Sequence, residues 1–340
     1  MIYFKSDYMV GGHPKVMDAL NKTNLLHSVG YGEDEFTAEA AARILDICRI
    51  PDGKVYFLEG GTQTNAVAID RLLDRNDGVV CADTAHINVH EAGAIELSGH
   101  KVMTLPSHEG KISAKQIKDY IATYKNDETY PHMVRPAMVY LTYPTELGTL
   151  YSKKELQAIS EVCRDEDIPL YIDGARLAYA LAANPEVTLP DVARIADVFY
   201  IGGTKCGALF GEALVTRRPE LLPRFDSLIK MHGAMMAKGR ILAVQFLALF
   251  SDNLYLEIGR HAVDMALLLK QGFIERGHRL LMDSPTNQQF IILPNVLIDR
   301  LLKSVQFEPW GPRGKTESAV RFVTDFTTTP QDIDKLIKML

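Results

Sequence analysis

The chain has 340 residues, of which 47% are hydrophobic and 24% are charged, a composition typical of a globular protein with a large buried core. The formal net charge of −6 is spread without runs of like charge, which argues against binding to nucleic acid or to an anionic membrane surface. No apolar run reaches membrane-spanning length and no signal-peptide pattern is present, so we expect a cytoplasmic protein. The four cysteines are far apart and form no C-x-x-C pair, which predicts reduced thiols and no zinc ribbon or redox motif.

The amino-terminal third of the chain changes from an irregular segment to an alternating α/β pattern. Residues 1 to about 35 are irregular apart from a short helix at 14–21, and a helix is predicted to begin at Thr37. From Lys54 onward, short apolar runs alternate with segments of crossover length. Because many runs are apolar throughout, we expect seven strands of a mainly parallel sheet that is covered on both faces, at 55–58, 79–81, 102–105, 138–141, 170–172, 198–201 and 213–216.

The carboxyl-terminal third predicts a smaller α+β domain. After an apolar helix at 241–250 the chain has a long amphipathic run at 254–275, and a last helix, capped by Thr329, begins at Pro330. Three short strand-like pieces lie between these helices, at 289–293, 305–308 and 318–324. We therefore divide the chain into a large domain, 1–245, and a small domain, 246–340.

Lys205 follows the sixth predicted strand, in the stretch Tyr-Ile-Gly-Gly-Thr-Lys-Cys-Gly at 200–207. Ligands in open α/β sheets bind at the carboxyl ends of the strands. Gly203 and Gly207 let backbone and ligand come close together, which suits Schiff-base chemistry by a lysine amine. The alternative is a surface lysine in a loop.

Asp173 ends the fifth predicted strand, and its distance from Lys205 in the sequence allows one crossover helix between the two strands. A carboxylate and a lysine at two strand ends are what a pyridoxal phosphate site needs. The lysine carries the cofactor, and the carboxylate keeps the pyridine nitrogen protonated so that the ring withdraws electrons. The sequence therefore predicts pyridoxal phosphate as the cofactor.

A glycine-rich loop at 59–65 follows the first predicted strand and precedes a helix that we expect to open at Ala66. Gly60, Gly61 and Thr62 would place free backbone N–H groups and a hydroxyl at a helix amino terminus, where an anion is favoured. The loop is therefore a candidate phosphate cradle. An ordinary N-cap by Thr62 or Thr64 is the alternative.

The ordered series of motifs resembles the low-specificity L-threonine aldolase family of the β-eliminating lyase group. The resemblance rests on Gly60-Gly61-Thr62, His86, Asp173-Gly174-Ala175-Arg176 and Gly203-Thr204-Lys205, and it extends along the chain from Ser6 to Arg321. Members of this group are pyridoxal phosphate enzymes with the aspartate aminotransferase fold. The resemblance implies a homo-oligomeric lyase, dimer or tetramer, that cleaves the Cα–Cβ bond of L-threonine or L-allo-threonine to give glycine and acetaldehyde.

The resemblance also implies roles for single residues. His86 would lie against the pyridine ring, with a solvated or core histidine as the alternative, and either His86 or an ordered water would accept the β-hydroxyl proton. The catalytic candidates are Lys205, His86 and Asp173; the cofactor candidates are these three with Gly60, Gly61, Thr62, Arg176 and Thr204. The candidates for binding the substrate carboxylate are Ser6, Arg176 and Arg321. Arg321 lies in an apolar strand where an unpaired guanidinium would be costly, whereas Ser6 is alternatively a turn residue.

For two segments the sequence is compatible with more than one role. Family members often carry Glu-Asn-Thr-His-like residues after the fourth strand, where this chain has Thr145 and Glu146, which either contact substrate or form a turn. The segment 224–245 resembles one that crosses between subunits, so Lys230, Lys238 and Arg240 are candidates to bind the phosphate of a neighbouring chain. The alternative for these three is a solvated helix face.

Two other functions remain compatible with the sequence. The first is a pyridoxal phosphate lyase that performs β-elimination on another amino acid, because fold and cofactor do not fix the bond that is broken. The second is a cofactor-binding protein of this fold without catalysis. A metal site is not expected, since His86 and His90 have no third ligand at a suitable spacing. The preferred aldehyde side chain and the threo/erythro selectivity are left open.

Overall fold

The computed structural model describes residues 1–340, which form thirteen strands and fourteen α-helices. The strands are β1 (Ile2–Tyr3), β2 (Lys54–Leu58), β3 (Asp77–Ala82), β4 (Lys101–Leu105), β5 (Arg135–Thr142), β6 (Leu170–Asp173), β7 (Val198–Gly202), β8 (Glu212–Thr216), β9 (Arg279–Met282), β10 (Gln288–Pro294), β11 (Val305–Gln306), β12 (Glu308–Pro309) and β13 (Glu317–Val323). The helices are α1 (Pro14–Thr23), α2 (Glu35–Cys48), α3 (Gly61–Leu72), α4 (His86–Val89), α5 (Ala94–Leu97), α6 (Ala114–Asn126), α7 (Lys153–Asp165), α8 (Leu177–Ala183), α9 (Leu189–Ile195), α10 (Phe225–Met231), α11 (Arg240–Leu249), α12 (Leu254–Glu275), α13 (Asn295–Leu301) and α14 (Pro330–Ile337).

The main sheet has seven strands in the order β2-β8-β7-β6-β5-β3-β4. Only β8 runs antiparallel to its neighbours, β2 and β7; the other pairings are parallel. Each of the seven predicted runs lies within one of these strands, so the prediction of a seven-stranded, mainly parallel sheet is confirmed. All residues of β3, β6, β7 and β8 are buried, as expected for strands with helices on both faces.

A second, antiparallel sheet has the strand order β12-β13-β10-β9. The predicted pieces at 289–293 and 318–324 correspond to β10 and β13. The piece at 305–308 is wrong as one strand, because it divides into β11, which pairs with the amino-terminal β1, and β12, which joins the antiparallel sheet. Strand β9 was not predicted; its residues alternate between exposed and half-buried.

The chain has two hydrophobic cores. One contains 65 buried residues around the main sheet. The other contains 15 residues around the antiparallel sheet and includes Ile2 and Phe4 from the amino terminus. Helix α12 contributes Ile258 to the first core and Leu269 and Phe273 to the second. The division of the chain at 245/246 stays a prediction.

Two helices begin earlier than expected. Helix α2 begins at Glu35 because the side chain of Asp34, not Thr37, accepts the first backbone N–H. Helix α3 begins at Gly61, five residues before the predicted Ala66, so the glycine-rich loop forms the first turn of the helix. No single helix combines the length and apolarity needed to cross a membrane; α11 and α12 reach them only together, across a bend of 67°.

Candidate active site

The carboxyl ends of β2, β5, β6 and β7 border a cavity of about 470 Å³ that contains Lys205. Most of the predicted site residues line this cavity: Gly60, Gly61, Thr62, His86, Asp173, Arg176, Thr204, Lys205 and Arg321. Ser6, Lys230, Lys238 and Arg240 are not among its lining residues. The fold thus brings together residues that are far apart in the sequence, at the edge of the sheet where ligands bind in this class of fold.

Asp173 is only 2% exposed, and protein donors hold both of its carboxylate oxygens. Its Oδ2 accepts from Tyr140 Oη at 2.5 Å and from Asn65 Nδ2 at 3.0 Å, and its Oδ1 accepts from the backbone N–H of Ala175 at 2.9 Å. Burial, together with the charge of Asp173, raises the pKa of Tyr140 well above its usual value, so the phenol keeps its proton and remains a donor. These donors compensate the burial of the carboxylate and fix its orientation.

The loop that carries Lys205 is anchored by Glu212, the first residue of β8. The two oxygens of Glu212 accept from the backbone N–H of Gly203 at 2.9 Å and from Thr204 Oγ1 at 2.7 Å. Thr204 Oγ1 in turn accepts from the N–H of Gly211 at 3.0 Å, and the carbonyl of Lys205 accepts from Tyr179. Burial raises the pKa of Glu212 to about 7. The Lys205 backbone is therefore fixed, while its amine extends into the cavity towards Tyr8, with the Nζ 6.0 Å from the ring centroid.

The amino terminus of α3 opens on the same cavity. Its N-cap is Gly60, which has no side chain, and the hydroxyl of Thr64 donates to the carbonyl of Gly60 at 2.9 Å. The alternative of an N-cap by Thr62 or Thr64 is therefore wrong. Because no side chain caps this twelve-residue helix, its first backbone N–H groups remain available to an anion.

His86 opens α4 and is oriented by Glu91. The His86 Nδ1 lies 2.7 Å from Glu91 Oε1, which also accepts from Asn65 Nδ2 at 2.8 Å. Burial lowers the pKa of His86, but the hydrogen bond to Glu91 and the nearby carboxylates of Glu146 and Asp173 outweigh burial and raise it above its usual value. Burial also raises the pKa of Glu91. One connected network therefore links His86 to Asp173 through Glu91 and Asn65.

Both candidate arginines have carboxylate partners within the chain. Arg176 donates from Nε and Nη2 to Asp7 at 2.7 and 3.0 Å, and both side chains are almost fully buried. Arg321 donates from Nη1 to Gln288 at 2.8 Å and from Nη2 to Glu308. Protein acceptors thus satisfy Nη1 and Nη2 of Arg321 within the chain, whereas its buried Nε has no partner. The binding of a substrate carboxylate by Arg321 stays a prediction.

Three further predicted residues have distinct surroundings. The Oγ of Ser6 is buried without a hydrogen-bond partner, next to the Asp7 that binds Arg176. Thr145 is buried in a turn, where its hydroxyl lies 2.7 Å from that of Thr149, whereas Glu146 lines the cavity. Of the two alternatives for this segment, the turn describes Thr145, whereas Glu146 lies where it could contact a substrate.

The three inter-subunit candidates lie on another part of the same chain. The Nζ of Lys230 is 4.7 Å from the ring centroid of Tyr31. Arg240 donates to the carbonyls of Thr23 and Asn24 at 2.5 and 3.1 Å, and with Lys238 it lines a separate cavity of about 530 Å³. Their proposed contact with the phosphate of a neighbouring chain stays a prediction.

The sequence analysis missed several residues that line or support the site, among them Asp7, Asn65, Glu91, Tyr140, Glu212, Glu308 and Trp310. Asn65 lies one helical turn after Gly61 on α3, and Glu91 lies five residues after His86, so both were close to recognised motifs. The signal available for them was a polar side chain beside a motif at a strand end. Tyr140 gave no such signal, because it lies within an apolar strand. Glu212 lies at the start of its strand, β8, and does not follow one.

Comparison with known proteins shows close relatives along most of the chain. The sequence model of the beta-eliminating lyases matches residues 4–294. The chain is 33% identical over 304 residues to a low specificity L-threonine aldolase of Pseudomonas aeruginosa, with 88% of this chain and 86% of that protein covered. It is 35% identical over 271 residues to a low specificity L-threonine aldolase of a Pseudomonas species, with 78% of this chain and 76% of that protein covered.

The comparison with solved structures gives the same family as the comparison of sequences. A threonine aldolase of Leishmania major superposes with a TM-score of 0.96 at 40% identity, covering 99% of this chain and 98% of that one. An aspartate aminotransferase of Thermus thermophilus superposes with a TM-score of 0.72 at 14% identity, covering all of this chain and 90% of that one. At that identity the likeness shows the fold alone, and the prediction of an aspartate aminotransferase-like fold is confirmed.

Proposed function

Because the chain belongs to the beta-eliminating lyase family and, within it, to the low-specificity L-threonine aldolases, we propose that it cleaves L-threonine and L-allo-threonine to glycine and acetaldehyde with pyridoxal phosphate as cofactor. One observation carries the proposal. Lys205 and Asp173 follow or end adjacent parallel strands, β7 and β6, and line the same cavity. A lysine that can bind an aldehyde and a buried carboxylate are the pair this chemistry requires.

The residues present fit the cofactor. The amine of Lys205 lies in the cavity, the carboxylate of Asp173 is held in one orientation, and the uncapped start of α3 offers N–H groups to a phosphate. When bound, pyridoxal phosphate supplies an electron-withdrawing ring that takes up the electron pair of the broken Cα–Cβ bond. Asp173 would hold a proton at the ring nitrogen of the cofactor, and Lys205 would bind its aldehyde.

His86 is the base that we assign to the β-hydroxyl proton. Because Glu91 accepts the hydrogen bond from Nδ1, the neutral ring keeps its lone pair on Nε2, which can accept a proton from substrate. Glu91 is then a positioning residue for His86. Arg321, which lines the same cavity, orients the substrate carboxylate, while Arg176 holds the amino-terminal segment through Asp7.

The test is product analysis with the purified protein loaded with pyridoxal phosphate. L-Threonine and L-allo-threonine should both give glycine and acetaldehyde in equal amounts, and Lys205→Ala should abolish the reaction, while Lys118→Ala, at an exposed position on α6 outside the cavity, retains it. Borohydride reduction followed by mass spectrometry should place the cofactor on Lys205. Release of pyruvate from L-serine or L-cysteine, with no acetaldehyde from threonine, would instead establish the β-elimination alternative.

We also propose that the protein is a homo-oligomer. Large apolar side chains in or near the segment 224–245 are exposed in the single chain: Leu25 is 89% exposed, Val29 61% and Met231 70%. Such side chains are unfavourable in water and suit packing against a second copy. Sedimentation should give a dimer or tetramer, and Met231→Asp should weaken it; an active wild-type monomer at assay concentration contradicts this proposal.

A further inference from the structure

Arg321 and Glu308 lie directly opposite each other in the antiparallel pair formed by β13 and β12. The register therefore sets the carboxylate of Glu308 beside the guanidinium of Arg321, and both residues line the cavity of Lys205. A guanidinium buried at this depth would be costly without an anionic partner. Glu308 supplies that partner when no ligand is bound.

Arg176, the other arginine that lines the cavity, has a less accessible carboxylate partner. In the Arg176–Asp7 pair the side chains are 8% and 0% exposed, and Asn287 also donates to Asp7 at 2.9 Å. In the Arg321–Glu308 pair the side chain of Glu308 is 37% exposed. Of the two carboxylates, only Glu308 is already partly exposed to solvent. Its side chain can therefore move from Arg321 into water, whereas Asp7 would have to leave a fully buried position.

The two strands of the pair also differ. Arg321 is in the middle of β13, which pairs with β10 on one side, and Gln288 of β10 holds its Nη1 at 2.8 Å. Strand β12 has only two residues, Glu308 and Pro309, and lies at the edge of the sheet. Movement of Glu308 therefore disturbs little of the sheet, whereas Arg321 stays in place.

We propose that Glu308 is an internal carboxylate ligand of Arg321, which the α-carboxylate of the substrate replaces on binding. The inference rests on the proposed function, in which Arg321 receives that carboxylate. The exchange keeps Arg321 paired in both states, and a molecule without a carboxylate cannot displace Glu308. The contact thus lowers the apparent affinity for carboxylate ligands, which must displace Glu308, and leaves the affinity for ligands without a carboxylate unchanged.

The chain contains its own reporter for this exchange. Trp310 is the sole tryptophan, and the guanidinium carbon of Arg321 lies 5.2 Å from the centroid of its ring. Trp310 also lines the cavity, two residues after Glu308. A change in the partner of Arg321 should therefore change the tryptophan fluorescence, independently of catalysis.

The experiment compares wild type with Glu308→Gln and with Glu317→Gln, which removes an exposed carboxylate paired with Arg279 in the same sheet. Loaded protein is titrated with glycine while Trp310 fluorescence is recorded. Because a half-exposed ion pair no longer competes, Glu308→Gln should lower the Kd for glycine by about 3- to 10-fold, and Glu317→Gln should leave it unchanged. In the threonine assay, Glu308→Gln should lower KM without lowering kcat.

An equal or higher Kd in Glu308→Gln than in wild type overturns the exchange. Glu308→Asp, which keeps the charge on a shorter side chain, should give a Kd between those of wild type and Glu308→Gln; a Kd outside that interval also overturns it. Titration of cofactor-free protein with acetate separates the two proposals. Tighter acetate binding by Glu308→Gln supports the exchange even where threonine yields no acetaldehyde, a result that would remove only the proposed activity.

Discussion

Tyr140 and Asp173 form the shortest of the hydrogen bonds that hold the candidate site's central carboxylate, with 2.5 Å between Oη and Oδ2. The two residues lie on adjacent parallel strands, β5 and β6. Burial raises the pKa of Tyr140, so this phenol donates and does not compete for the proton that Asp173 is proposed to hold on the cofactor. Substitutions at these two positions therefore distinguish the effect of the Asp173 charge on turnover from the effect of its orientation.

Asp173→Asn should retain the cofactor but slow threonine cleavage by about a hundredfold or more, because the ring loses the carboxylate that keeps its nitrogen protonated. Tyr140→Phe removes one of three donors and should slow turnover by about tenfold or less, since a single hydrogen bond contributes about 0.5–1.5 kcal/mol. Turnover numbers and bound cofactor would be measured on the same samples. Near-normal turnover in Asp173→Asn would remove its assigned role.

Gly60→Ala should weaken cofactor binding without disturbing the fold. The backbone of Gly60 is extended, with a φ of −170°, and an added Cβ would meet no atom within 4 Å, so the substitution causes no strain. The methyl group would instead occupy space at the start of α3 where the phosphate is proposed to bind, and we expect the Kd for pyridoxal phosphate to rise about tenfold. Gly11→Ala, where the added Cβ makes only an ordinary contact with Leu209, is the matched control.

The pH dependence of kcat/KM should show the raised pKa of His86. If neutral His86 accepts the β-hydroxyl proton, activity falls as the pH drops through this pKa, so the acid limb should lie above the usual histidine range. Glu91→Gln weakens the contact that raises the pKa and should move the acid limb to lower pH. Glu96→Gln, an exposed neighbour on α5, should leave the profile in place. A limb that does not respond to Glu91→Gln would exclude His86 as the titrating base.

Glu212 should make the stability of the cofactor-free protein depend on pH. Burial raises its folded-state pKa to about 7, so the folded protein retains a proton that the unfolded chain releases near pH 4.5. The resulting stabilisation is complete below about pH 4.5 and is lost as the pH rises through about 7, a total of about 3 kcal/mol. Glu212→Gln should lack this loss. Urea unfolding of both proteins at several pH values would measure it, and parallel pH curves would contradict the prediction.

The main sheet could be predicted from the sequence because its central strands, β3, β5, β6, β7 and β8, are buried almost throughout, which gives short, continuous apolar runs. Strands at the edge of the small sheet gave weaker signals. In β9 the residues alternate between exposed and half-buried and include Arg279, and β1 has only two residues, whose partner strand, β11, begins at Val305. Pairing over that sequence distance depends on tertiary packing and leaves no local pattern.

The position of Lys205 and Asp173 could be predicted because both residues come at the ends of apolar runs, where a polar side chain stands out. Their partners could not be predicted in the same way. Tyr140 lies inside a strand, and its role depends on a neighbouring strand whose register the sequence does not reveal. The Arg321–Glu308 contact could not be predicted for the same reason, because only the register of β13 against β12 places the two side chains together.

The pairing of β1 with β11 has a consequence for how the protein folds during synthesis. Ile2 and Phe4 belong to the core that also contains Val305 and Phe307, so this core cannot close until almost the whole chain has left the ribosome. The strands of the main sheet, at residues 54–216, are synthesised earlier. They can pair before β11, the partner of β1, has been synthesised. The sheet that carries Arg321 is therefore assembled last, and Arg321 joins the lining of the Lys205 cavity only at the end of folding.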